Sequence, residues 1–240
     1  MVAHTWYHRL VIRHLLPGDV ARAGLALGTT LSARGDMDGA CAAFQSAIDS
    51  RDIRYWPQAA VAMGDLLRAH GDTNAAAAAY RTLTEFREEE ISSDEGLTLY
   101  EYLNDQAGDE PTGRPDFAGA RARALRRAVS ATDPNTASIA ALLLGCELAG
   151  HDMAGSRDAF RTYCDIESVD MAVVTLVCFL GYEIGDLEGT RLLLERLLEF
   201  SQGTDAELVH TELRVLAEID GDVAAYREIQ DQRGYGPAHP

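Results

Sequence analysis

His4 and His8 stand four residues apart in a stretch of helical spacing, which would set two imidazoles on one face within reach of a single metal ion. No glutamate follows His4 as a zinc-protease motif would require, and no third ligand is evident, so solvated or capping histidines are the simpler reading. Cys146, Cys164 and Cys178, with His151 between them, fall on adjoining predicted helices, where a thiolate site is geometrically conceivable. No CxxC pair occurs, and these three and Cys41 lie in apolar stretches, which fits buried thiols better than a disulfide framework. Arg121, Arg123, Arg126 and Arg127 crowd one predicted helix, "FAGARARALRRAV". Guanidinium forks bind oxyanions bidentately, so this helix is a candidate dock for an acidic or phosphate-bearing partner. Glu88, Glu89, Glu90, Asp94, Glu95 and Glu101 precede it and offer local charge compensation instead. No GxGxxG, GxSxG or HExxH occurs, so no positive sign of catalysis or of a cofactor is present, and no metal site is expected.

Composition narrows the chemistry further. All 21 Lys+Arg residues of the 240-residue chain are arginine. Schiff-base, pyridoxal-phosphate, P-loop and protein-kinase chemistry each place a lysine amine at a defined point, and none can be built without one. The missing lysine equally reflects the codon usage of a GC-rich genome. Thirty-eight Asp+Glu leave a formal charge of -17, which repels phosphate backbones and anionic membrane surfaces. Neither nucleic acid nor membrane is therefore an expected partner. Val11, Ile12, Leu15 and Leu16 are interrupted by His8, Arg9, Arg13 and His14, so no signal-peptide core forms, and no uncharged run could span a bilayer. A cytoplasmic protein is expected.

The elements that must position these residues are set by a repeat. "LALGTTLSARGDMDGACAAF" from Leu25 to Phe44 returns as "VAMGDLLRAHGDTNAAAAAY" from Val61 to Tyr80, about 36 residues further on. Gly-Asp punctuation recurs at Gly35-Asp36, Gly71-Asp72, Gly108-Asp109, Gly185-Asp186 and Gly221-Asp222, and in altered form at His151-Asp152. A proline- and glycine-rich insertion, Glu110 to Pro115, lengthens one interval. Each unit reads as two amphipathic helices about a tight turn, with glycine ending the first and aspartate capping the second. Such a pair cannot bury its own apolar face, so neighbours must stack.

This pattern resembles the tetratricopeptide repeat (TPR) family, whose unit carries a small residue eight positions in, an alanine twelve later and an aromatic four after that. Gly28, Ala40 and Phe44, then Gly64, Ala76 and Tyr80, occupy those places. Later units depart from it: Glu101 stands for the small residue and Ala124 for the aromatic, one helix near Ser138 is a residue short although Phe160 holds the aromatic place, and Leu194 replaces the next aromatic. The resemblance implies an all-α, right-handed α-solenoid of about six antiparallel helix pairs, with an extra N-terminal helix and a short C-terminal cap. The expected layout is an N-terminal helix in 1–20 ended by Pro17-Gly18, repeats at 21–56, 57–92, 94–131, 137–168, 171–203 and 206–233, and a disordered tail at 234–240.

In that family the inner wall is lined mainly by the first helix of each pair and takes peptides or partner helices. The resemblance therefore implies Arg22, Thr29, Gln58, Asp65, Arg68, Tyr102, Phe179 and Tyr182 on or near the concave face. The lysine- and asparagine-rich carboxylate clamp of chaperone-binding members is not reproduced. A groove mixing arginines with aromatics suits a peptide with both apolar and acidic features. The expected function is a non-catalytic protein- or peptide-binding adaptor. The alternative is an enzyme or small-molecule binder with a pocket in repeats three to five. Leucines 192, 193, 194, 197 and 198 offer more apolar surface than one stripe needs, and self-association as a homodimer would use it.

Overall fold

The computed structural model describes residues 17–107 and 115–235. It is all-helical, with no strand among the described residues: α1 (Pro17–Ala33), α2 (Met37–Asp49), α3 (Trp56–Ala69), α4 (Thr73–Thr84), a 3-10 turn (Glu88–Glu90), α5 (Ser93–Ala107), α6 (Ala118–Ala128), α7 (Pro134–Leu148), α8 (Met153–Ile166), α9 (Val169–Thr175), a π-helical segment (Leu176–Ile184), α10 (Leu187–Leu198), α11 (Thr204–Glu218) and α12 (Val223–Gln232). The chain divides between Arg127 and Ala128 into two compact units, inside the third expected repeat. No helix among the described residues is long and apolar enough to cross a membrane.

The turns form as the Gly-Asp pairs require. At the end of α1, Gly35 adopts φ +79, the Gly35 N–H donates to Ser32 O and the Asp36 N–H to Leu31 O. Those two bonds close the helix end with a left-handed residue that only glycine occupies without strain. Asp36 then caps α2 by accepting from the Gly39 N–H at 3.0 Å. Asp72, Asp152, Asp186 and Asp222 cap α4, α8, α10 and α12 in the same way, and Asp133 caps α7.

Packing inside the hairpins follows from small residues facing aromatic ones. A methyl group at Gly28 would sit 2.5 Å from the Phe44 ring, one at Gly64 2.4 Å from Tyr80, and one at Gly145 2.7 Å from Phe160. The backbone of the first helix thus lies directly on the ring of the second. In the first unit, Phe44, Trp56, Leu83, Leu99, Leu103 and Phe117 share one core; each such side chain contributes about 1.5–3 kcal/mol when fully buried. In the second, Phe160, Tyr163, Leu176, Leu180, Leu194 and Tyr226 form the other.

Two features differ from the sequence expectation. Pro17 and Gly18 lie inside α1 rather than ending a helix before it, since proline is well tolerated in a first helical turn. The Gly181 backbone meets the ring of Tyr226 from α12, with a Cβ there 2.8 Å from Cε1. The π-helical winding of Leu176–Ile184 accompanies this pairing, and the Asp186 N–H reaches back to Leu180 O. Leu194 is fully buried instead in the core of its own unit. His4, His8, most of the expected N-terminal helix, the Gly108-Asp109 turn, the insertion up to Arg114 and residues 236–240 lie outside the described residues.

Candidate functional site

Helix α4 is built from alanines and threonines with Tyr80 and Arg81 near its C-terminal end, so one of its faces is low and smooth. Thr73, Ala76, Ala77, Tyr80, Arg81 and Thr84 recur at helical spacing along that face and, with Arg68 from α3 and Pro115, line an open groove of about 290 Å³. Tyr80 is buried, and its hydroxyl donates to Asp65 Oδ1 at 2.5 Å. Arg68 Nη2 approaches the same oxygen at 3.4 Å, and the two side chains are each 30% exposed. Asp65 thereby ties together Tyr80 and Arg68, two residues of the groove lining. Arg81 is exposed, and its guanidinium makes no ion pair or hydrogen bond to any described residue. The groove therefore presents an apolar floor, two hydroxyls and two guanidiniums, which is chemistry for an oxyanion attached to a small apolar body.

Of the residues expected on a concave wall, the structure brings Asp65 and Arg68 together. Arg22 is exposed and pairs with Asp19 at 3.5 Å. Thr29 donates to Leu25 O within its own helix, and Gln58 Nε2 to Arg54 O in the turn before α3, so both serve nearby backbone. Tyr102 is half-buried against the core of the first unit. In the second unit Phe179 is 41% exposed. Tyr182 donates its hydroxyl to Asp231 at 2.7 Å, and that carboxylate holds the phenol above its usual range.

The arginines of α6 are not displayed as one patch. Arg123 donates through Nη2 to Thr84 O and lies over the Phe86 ring at 5.2 Å. Arg127 Nε donates to Ile91 O at 2.9 Å. The segment between α4 and α5 has carbonyls without helical partners, and these two side chains supply donors to them. Arg121 is half-buried and partnered, which leaves Arg126 exposed.

No protein-family model, curated protein or solved structure matches the chain.

The second unit holds two further open grooves, of about 360 and 380 Å³. Their arginines are already engaged: Arg191 with Glu188 and Glu195, Arg196 with Asp165, and Arg161 with Asp158. Among its buried polar residues is Glu212, 1% exposed, which accepts both Arg233 Nη atoms at 2.6 and 2.8 Å and Gln230 Nε2 at 3.2 Å. This network fastens the end of α12 to α11.

The cysteines are all free. Burial raises the thiols of Cys41, Cys146 and Cys178, and pushes Cys164 up to about 12, which keeps them protonated and unreactive near neutrality. Among the described residues no three His, Cys, Asp or Glu side chains are grouped to hold a metal ion.

The sequence reading places Tyr80 at the aromatic position of the repeat and names none of Thr73, Arg81 and Thr84 as a site residue. The signal lies in the spacing: Thr73, Ala77, Arg81 and Thr84 fall on one helical face, on which Tyr80 is the large side chain that is buried.

Proposed function

We propose that the chain is a non-catalytic adaptor built from TPR-like helix pairs, arranged as a right-handed solenoid, that binds a segment of a protein partner in the cytoplasm. The observation that carries this reading is the recurrent hairpin contact, Gly28 on Phe44, Gly64 on Tyr80 and Gly145 on Phe160. It joins the family's sequence positions to a common mode of packing. Repeat scaffolds of this kind present long open surfaces rather than enclosed cavities. The grooves described above are open and small, and the raised thiols and paired carboxylates favour binding over chemistry. Free thiols also suit a reducing compartment.

The test is purification of the full chain with its bound material, followed by light scattering and mass spectrometry. One protein recovered in stoichiometric ratio, and rebinding to the purified chain at micromolar concentration or below, is the expected result. A co-purifying metabolite with no stoichiometric protein would overturn the adaptor reading.

A further inference from the structure

Among the described residues, Arg34, Arg81, Arg126 and Arg214 carry guanidiniums that make no ion pair, side-chain hydrogen bond or ring contact, although carboxylates outnumber arginines in the chain. Arg81 alone among these four lines one of the described grooves, and Arg68 lines the same one. Arg123 adds a third cation near the C-terminal end of α4 by donating to Thr84 O. We propose that the α4 groove binds an extended, acidic segment of a partner protein, with one side-chain carboxylate of the segment held by Arg81 and Arg68. This rests on the peptide-binding reading above and deepens it.

The dimensions define the occupant. From Thr73 to Thr84 the helix rises about 16 Å, the reach of about five extended residues. A cavity of about 290 Å³ sits at the lower edge of the range for small-molecule sites, roughly 300–1,000 Å³, and it is open to solvent. It therefore suits one or two side chains of a longer segment. Ala76 and Ala77 at the centre admit a small apolar side chain, and Arg81, one turn beyond Ala77, takes the carboxylate with Arg68 on the same lining. A carboxylate is favoured over a phosphate dianion because Asp65 already pairs with Arg68 and the chain's overall charge of -17 penalises each added negative charge.

The experiment selects displayed peptides of about seven residues on the full chain, then measures the recovered sequences as acetylated, amidated peptides by fluorescence anisotropy. Selected peptides are expected to contain Asp or Glu, to lose affinity when that residue becomes Asn or Gln, and to weaken as salt rises from about 0.05 to about 0.5 M. Arg81→Gln should weaken them about fivefold or more, whereas Arg34→Gln should leave them within about twofold. Because the Arg81 guanidinium has no partner among the described residues, its variant should melt as the parent does, and a thermal scan verifies this. Selected peptides without acidic residues, or full binding to Arg81→Gln, would overturn the groove assignment while leaving peptide binding intact. Selection of no peptide at all would overturn the groove assignment, and with no stoichiometric partner protein it would overturn the adaptor reading too.

Discussion

The Tyr80 hydroxyl donates to Asp65 Oδ1 at 2.5 Å, across the hairpin formed by α3 and α4. The same ring lies on the backbone of Gly64, one residue before Asp65. One side chain thus packs the repeat and sets the carboxylate that steadies Arg68 at the groove.

Because the hydroxyl anchors the ring, Gly64→Ala cannot be relieved by a simple retreat of Tyr80. The new methyl would lie 2.4 Å from Cε1. Alanine's better helix propensity returns about 1 kcal/mol at most, against about 1–3 kcal/mol for overpacking. Net destabilisation is expected in urea denaturation, and Gly64→Ala combined with Tyr80→Leu should recover part of it. An unchanged midpoint for the single variant would contradict the packing described.

Removing Arg233 leaves the Glu212 carboxylate buried with only Gln230 beside it. Arg233→Ala should cost about 3–5 kcal/mol, much more than the paired replacement Glu212→Gln with Arg233→Met. A double-mutant cycle by chemical denaturation measures the coupling. Equal losses for the two variants would contradict it.

Asp186 is 8% exposed in its side chain and accepts both Arg157 donors at 2.6 Å. Burial pushes its carboxyl up, but the Arg157 guanidinium and the Gly189 N–H together outweigh burial and hold it below the usual carboxylate range. A depressed folded pKa contributes stability that is present above the unfolded value, about 3.9, and is lost as pH falls through the folded one. Asp186→Asn keeps an N-cap acceptor but removes the charge, so it should be destabilised near neutrality and show a shallower loss of stability in acid. Parallel pH profiles of parent and variant would contradict the ion pair's role.

Thiol labelling should follow burial. Cys164, with its pKa pushed up to about 12, is expected to react slowest with iodoacetamide in the native state and to become reactive only on unfolding. Peptide mapping after timed alkylation checks the order, and rapid native labelling of Cys164 would contradict the packing around it.

Much of the local architecture was legible because the Gly-Asp pairs specify both a left-handed helix end and an N-cap, and these recur in the structure at Gly35-Asp36, Gly71-Asp72, Gly185-Asp186 and Gly221-Asp222. The register of Leu176–Ile184 was not, since its π-helical winding accompanies packing against Tyr226, about 45 residues away, a distance over which helical periodicity carries no information. The α6 arginines illustrate a second limit. Charge counting pairs them with carboxylates, whereas Arg123 and Arg127 reach the carbonyls of Thr84 and Ile91, whose need for donors depends on the path of a loop. At the groove, Arg68 and Asp65 were found through the family resemblance, while Arg81 required knowing which face of α4 stays open.

The most direct measurement is hydrogen exchange by mass spectrometry on the full chain alone and in complex with its co-purified partner. The account predicts added protection in the peptides covering α4 and Arg68, reduced in Arg81→Gln at matched partner concentration. Protection confined to other elements, or a complex indifferent to Arg81, would contradict it.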